Sequence, residues 1–475
     1  MIRALLLIPP SPEHRHIARF SFQSYESKGN YHLQPKEFMA ITGCLGERDE
    51  AVFVDGTCDK LDEAEFLRRV DGLSGDIIIF SMSNTVWKSD HHYLKEVVRR
   101  HPDTPVFVQG DIFLDKEARE FILSECDGVV FYPYMLDIEK MAGVRQSGGA
   151  ELPGVYNSSG QLFFGKNENR LHHIAGGYPR HELFLSSGYR FPFAKHKKFA
   201  TVVTTYGCPF VCSYCGSANL PPGVRSNDSI LAELRHIESL NIKELWIYDS
   251  TFGFYKKESV PLLEEMAAKH DFSWSTFTNH QICTPDFLEL MKAAGCHTII
   301  LGIDSASESN LKRFRRNSTM SKLEKAIVKA NDLKMNICAD FILGLENETR
   351  HDLEKTISYA MQLPIDYASF NVIVPTPGTS VSEKLKQDGA SIFDLVNFDS
   401  LGREGNIGNK HLSGDEIIAL RNKAVRKFYL RPKHLLRRLQ KTTSIEHFQI
   451  QMEEMFAIVG KTNRRKGGAA RRADA

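Results

Sequence analysis

Thr204-Thr205-Tyr206-Gly207-Cys208-Pro209-Phe210-Val211-Cys212-Ser213-Tyr214-Cys215-Gly216 places three cysteines within eight residues, in the spacing C-x-x-x-C-x-x-C. Three thiolates in one tight loop can hold three corners of a four-iron four-sulfur cluster and leave the fourth iron open. An open iron can bind and reduce a substrate or cofactor. Three plainer readings compete. Ordinary buried thiols are common in cores, but of nine cysteines three fall in this loop and the other six are scattered. A structural zinc site and a ferredoxin-type site both need a fourth ligand. No second C-x-x-C is present, His196 is the nearest upstream imidazole, and Cys283, Cys296 and Cys338 stand isolated. The spacing therefore points to an open-site cluster.

The loop follows Phe199-Ala200-Thr201-Val202-Val203, an apolar β-branched run that reads as a buried strand. Five more strands read at 244–248, 273–278, 297–303, 336–343 and 367–374. Helices read between them at 229–240, 260–270, 285–294, 322–333 and 350–363. Six βα units predict a partial (β/α)6 barrel, with the cysteines at the C-terminal strand end where such barrels place their chemistry. Upstream, strands at 4–8, 51–54, 76–82, 105–108 and 128–131 alternate with helices at 35–45, 63–70, 91–100 and 116–126. That rhythm predicts an N-terminal doubly wound, Rossmann-like parallel sheet. The fold class is thus α/β, with a helical C-terminal region. The expected boundaries are 1–143 for the first domain, 144–195 for a connector, 196–395 for the barrel and 396–460 for the C-terminal helices. Residues 461–475 read as a disordered basic tail. Gly148-Gly149 through Asn157-Ser158-Ser159-Gly160 reads as a short hairpin within the connector.

The 475 residues carry a net charge of +1, so no global field draws the chain to nucleic acid or an anionic membrane. The apolar run Ala4-Leu5-Leu6-Leu7-Ile8 ends in Pro9-Pro10 and is too short for a signal peptide. No stretch reaches the ~18 apolar residues of a membrane span. An odd cysteine count without a secretory signal implies a cytoplasmic protein.

The cysteine loop resembles that of radical S-adenosylmethionine (SAM) enzymes. The resemblance implies that Cys208, Cys212 and Cys215 ligate a four-iron four-sulfur cluster whose open iron chelates SAM. One electron then cleaves SAM and yields a 5′-deoxyadenosyl radical. It further implies an external donor such as flavodoxin or ferredoxin, and a small-molecule substrate. Tyr214, just before the third cysteine, is implied near the adenine. Asp249, in Tyr248-Asp249-Ser250-Thr251-Phe252, corresponds to an acid near the SAM amino group, although a turn cap reads equally well. Asp304 and Ser305 stand in Gly302-Ile303-Asp304-Ser305, where the family pattern is Gly-Ile-Glu-Ser. Ile342, before Leu343-Gly344, corresponds to the strand that lines the adenine. Asn279 stands where relatives carry an Arg. Arg315 and Arg316 could hold a carboxylate or lie in solvent.

The domain order resembles the subgroup with an N-terminal cobalamin-binding domain. Asp55, Ser81, Ser83 and Gly110 fall in its binding loops, and cobalamin is the implied second cofactor. Two features depart from the pattern: Asp55-Gly56-Thr57 has no His two residues on, and Gln109 replaces one of the usual paired glycines. Trp87, Tyr132 and Tyr134 could cap a corrin face or fill a vacant cleft. With cobalamin the implied reaction is methylation. With a vestigial cleft it is methyl-free dehydration, epimerisation or rearrangement. A non-catalytic, metal-stabilised RNA-binding protein is the third reading, weakened by the lack of an appended nucleic-acid domain.

Overall fold

The computed structural model describes all residues except 16, 18–26, 28, 30, 148–150, 158–161, 163–171, 175–176, 317, 397, 402–405, 443 and 464–475. The N-terminal sheet comprises β1 (Arg3–Ile8), β2 (Glu50–Asp55), β3 (Ile77–Ser81), β4 (Val106–Gln109), β5 (Gly128–Val130) and β6 (Val155–Tyr156), in the order β2-β1-β3-β4-β5-β6. The first five strands are parallel. Their alternation supplies two apolar faces. Leu5, Leu7, Ile78, Phe80, Val106 and Val108 bury on one side. Ala4, Leu6, Ile8, Ile77, Ile79 and Phe107 bury on the other. Parallel strands need both faces covered by helices, which explains the near-continuous apolar runs. The order places a topological switch between β1 and β3, and ligands in such sheets bind outside the C-terminal strand ends.

β6 comes from the stretch read as connector and pairs antiparallel with β5, Val129 opposite Tyr156. Tyr156 also bridges Leu162 in an antiparallel sense. The hairpin read from the sequence falls largely on residues outside the described ones, which leave out 148–150 and 158–161. The tail read as disordered lies outside them from 464 onward, and helix Ile445–Asn463 runs up to that point.

The second sheet holds β8 (Phe199–Val202), β11 (Glu244–Ile247), β12 (Ser273–Thr278), β13 (Cys296–Asp304), β14 (Asn336–Leu343) and β15 (Tyr367–Val372), all parallel and in that spatial order. Side chains alternate. Leu245, Ile247, Ile299, Leu301 and Ile303 pack outward against the helices. Trp246, Tyr248, Ile300, Cys338 and Tyr367 form an inner cluster with Phe191 and Tyr189 from the preceding segment. A third sheet joins β7 (His172–Ile174), β10 (Gly223–Arg225) and β9 (Thr205–Tyr206) beside the cysteine loop.

After β15 the chain returns to the first domain. Ile392, Leu395 and Val396 bury in the N-terminal core. Lys386 pairs with the buried Asp115 at 2.7 Å, and Ile392 N–H donates to Glu117 at 3.1 Å. The barrel's C-terminal edge is thereby bolted to the N-terminal sheet. Truncating Ile392 to Ala should cost about 2–5 kcal/mol through the cavity it leaves. Urea denaturation checks this, with limited proteolysis showing earlier cleavage between the two domains.

Candidate active site

The cysteine loop is held at both ends. Asp249, fully buried, closes β11 and receives four donors from the residues that leave β8. Its Oδ1 accepts the backbone N–H groups of Thr204 at 2.7 Å and Thr205 at 3.1 Å. Its Oδ2 accepts the Thr205 hydroxyl at 2.8 Å and also that of Thr204. Burial lifts this carboxyl above its ordinary range, and the donors pull against that. Gly207 then turns with φ +70°, where a Cβ would stand 2.5 Å from the Leu220 and Pro221 carbonyl oxygens. Only glycine fits both demands. Beyond it, Cys215 N–H donates to Cys212 O and Ala218 N–H to Cys215 O, both at 3.1 Å. Ser213 is tied to Phe314 and Ser380 by backbone bonds of 3.1 and 3.0 Å.

Burial raises the pKa of all three thiols, while Arg316 acts to lower those of Cys208 and Cys212. Arg316 Nη1 points at Cys212 Sγ across 3.9 Å. A metal takes thiolates, so loading this loop must expel protons. Cys208 Sγ lies 3.7 Å from the Thr251 hydroxyl.

Asp304 sits at a register shift near the end of β13, with φ +65°. A non-glycine residue in that region is strained, and such strain clusters at functional sites. Its Oδ2 accepts the Tyr214 hydroxyl at 2.8 Å and pairs with Arg316 Nε at 2.9 Å. Arg316 also donates to Gly302 O at 2.6 Å. Burial opposes the guanidinium's charge, but Asp304, Tyr214 and Cys212 outweigh it and hold Arg316 firmly protonated.

A cavity of about 410 Å³ joins these groups to the N-terminal sheet. Cys208, Cys212, Cys215, Tyr214, Asp304, Arg316 and Ile342 line one part of it. Lys36, Glu37, Gln109, Gly110, Asp111 and Phe131, from or beside the C-terminal ends of β4 and β5, line the other. Glu37 Oε2 and Gln109 Nε2 are buried without a hydrogen-bond partner among the described residues. Buried polar groups are normally paired, so these two are suited to a ligand rich in amides and hydroxyls. Burial pushes Glu37 up to about 7, with Lys36 acting the other way. A second, smaller cavity of about 150 Å³ fills the barrel interior and shares Phe277, Asp340 and Asn371 with the first.

The structure brings together Cys208, Cys212, Cys215, Tyr214, Asp304, Ile342 and Gly110 around one cavity. It does not bring the remaining sequence candidates there. Asp249 is committed to Thr204 and Thr205, and its neighbours Ser250 and Thr251 line the cavity instead. The buried Ser305 donates to Glu348 Oε1 at 2.7 Å. Asp55 accepts from Thr57 N–H, Cys58 N–H and the Tyr189 hydroxyl at 3.0, 2.8 and 2.7 Å. Ser81 is fully buried within its strand end. Ser83 N–H donates to Asp90 and its hydroxyl meets that of Thr85. Trp87 is not a corrin cap: it packs among His91, Phe113, Phe121 and Phe393 in the N-terminal core. Tyr134 stacks on Tyr206 at 4.1 Å, with Tyr132 beside it. Glu37 and Asp340 escaped the sequence reading because no motif marks them, and Gln109 was visible only as a departure from the usual paired glycines. Arg316 was visible there as a cation of undecided role.

Residues 202–360 match the model of the Radical SAM superfamily. An uncharacterized methyltransferase of Pyrococcus horikoshii is 27% identical over 416 residues, covering 84% of this chain and 88% of that one. The cobalamin-dependent SAM radical enzyme OxsB, solved with aqua-cobalamin bound, superposes with a TM-score of 0.65 at 13% identity, covering 95% of this chain and 72% of that one. The radical SAM methyltransferase TsrM from Kitasatospora setae, solved with cobalamin and a [4Fe-4S] cluster, superposes with a TM-score of 0.63 at 16% identity, covering 81% and 75%. Residues 202–360 thus form a radical SAM domain, and the two-sheet fold is the one those two enzymes share.

Two outcomes follow from this geometry. Asp249→Asn replaces one acceptor oxygen by a donor facing Thr204 and Thr205, at a cost of about 1–3 kcal/mol. It should lower cluster iron per chain in colorimetric assay. Glu37 has a folded pKa above its unfolded value of 4.5. Its contribution is therefore fully present below pH 4.5 and is lost as pH rises through about 7. Between pH 4.5 and 8, wild type should lose up to about 3 kcal/mol relative to Glu37→Gln in urea denaturation.

Proposed function

We propose that this radical SAM enzyme methylates a small molecule with the help of cobalamin. The carrying observation is the single cavity that runs from the cysteine loop to the C-terminal ends of the N-terminal sheet. Cys208, Cys212 and Cys215 would hold the cluster. Tyr214, Asp304 and Ile342 would form the wall for SAM, with the Asp304 charge balanced by Arg316 and open to a ligand amino or hydroxyl group. Gly110, Gln109 and Glu37 would hold cobalamin through backbone approach, an amide donor and a carboxyl. The residues fit both groups: three thiols converge on one side, and two orphaned polar atoms lie on the other. When bound, the cluster supplies the electron that splits SAM, and cobalamin supplies methyl transfer.

Asp340, shared by both cavities, places a carboxylate where a substrate could reach from the barrel interior toward the cluster. Phe277 also lines both cavities, and Ile342 lines the larger one. The names of the Pyrococcus relative and of TsrM, both methyltransferases, support methylation over methyl-free chemistry. An external one-electron donor, such as a flavodoxin or ferredoxin, would approach near Val211, which is 61% exposed beside Cys212. No helix among the described residues is long and apolar enough to cross a membrane, in keeping with a cytoplasmic enzyme.

The test is anaerobic reconstitution with iron and sulfide, then incubation with SAM, a reductant and hydroxocobalamin. Formation of 5′-deoxyadenosine is expected, and Cys212→Ala should abolish it. Corrin absorbance should survive gel filtration, and Gln109→Ala should weaken that retention about tenfold, the effect of roughly 1.4 kcal/mol. If 5′-deoxyadenosine forms but no corrin is retained, the methyl-free reading replaces this one.

A further inference from the structure

Behind the C-terminal end of β2, three buried side chains from two separate stretches converge. The imidazole of His32, the carboxylate of Asp55 and the thiol of Cys58 present ligand atoms that all lie within 4.8 Å of one another. None of the three lines the cavity described above. His32 Nε2 stands 3.7 Å from Asp55 Oδ2. That is slightly wider than the N–O edge of a zinc tetrahedron, about 3.3–3.5 Å for bonds of about 2.0–2.2 Å, so a bound ion would draw the pair together.

The surroundings orient each ligand. Asp55 Oδ1 is occupied by the N–H groups of Thr57 and Cys58. Oδ2 accepts the Tyr189 hydroxyl at 2.7 Å and keeps a second lone pair, as an outer-shell donor leaves a metal-bound carboxylate. His32 is fixed by reciprocal backbone bonds of 2.9 and 2.8 Å with Arg190. It also stacks on Tyr189 at 5.3 Å. Gly188 backs the sulfur so closely that a Cβ there would stand 2.6 Å from Cys58 Sγ. The Ser186 hydroxyl, 3.5 Å from that sulfur, marks the direction of a fourth position.

We propose that His32, Asp55 and Cys58 bind a zinc ion separate from the cluster. The ion would staple the turn after β2 to the chain around His32 and the stretch 186–190. A nitrogen, oxygen and sulfur set suits zinc, whereas hard cations such as calcium and magnesium take oxygen ligands. Binding displaces the Cys58 proton to solvent and leaves thiolate plus carboxylate against a divalent cation, a neutral buried set.

Metal analysis and zinc-edge X-ray absorption on the cluster-loaded protein, purified from zinc-supplemented medium and dialysed, test this without interference from iron. About one zinc per chain is expected, with one sulfur at ~2.3 Å and nitrogen or oxygen at ~2.0 Å. His32→Ala and Cys58→Ser should each drop zinc below about a tenth of an equivalent while cluster iron stays unchanged. The site is refuted if the wild type holds no zinc after dialysis. It is equally refuted if zinc persists in both variants, or if the edge reports three or four sulfurs, which would place the metal in the cysteine loop. Should both variants fold poorly, the wild-type edge spectrum alone decides.

Discussion

Everything at the active site is hung from one buried carboxylate. Asp249 has no exposure and binds the backbone and hydroxyls of Thr204 and Thr205. These residues link β8 to the cysteines. A strand end would otherwise fray into a loop whose thiols have no fixed separation. The carboxylate converts it into a rigid takeoff, and Gly207 turns the chain within a space that no side chain could share. Preorganisation of this kind lets three thiols meet a cluster without ordering the loop at the moment of binding.

A second arrangement couples the loop to the barrel. Arg316 reaches Asp304, Gly302 and Cys212 at once, and Tyr214 closes the same network through Asp304. A buried charge pair is worth little for stability on its own. Here it sets the electrostatics of the cavity, because one guanidinium both neutralises the acid at the strained end of β13 and favours the thiolate of Cys212. The cavity then owes its outer wall to the N-terminal sheet. That sheet is held in place by the return of residues 380–396, which lodge apolar side chains in its core.

Much of the fold was legible in the residues alone. The runs Leu5-Leu6-Leu7 and Ile77-Ile78-Ile79-Phe80 are apolar on both faces, and only a sheet covered on both sides tolerates that. All eleven strands read from the sequence appear, with ends displaced by a few residues. The short β6 escaped as a strand because two residues carry no periodicity. The docking of Ile392 and Leu395 escaped because a helical turn does not announce which core it joins. Among the site residues, those in motifs with a backbone reason for their spacing, the cysteines and Tyr214, were legible. Asp55, Ser81 and Ser83 occupy the expected loops, yet their side chains turn into local hydrogen bonds or the strand-end interior.

By itself the sequence determined that three thiols share one loop at the end of a buried strand, since a spacing of three and two intervening residues leaves the chain no other place to put them. It also determined two alternating β/α arrays, because apolar periodicity is a local property. Only the tertiary structure decided which polar groups face the common cavity. That choice depends on where Glu37, Gln109, Arg316 and Asp340, distant in the chain, come to lie once both sheets are packed. A side chain's direction follows from the packing around it, and residue type does not encode that.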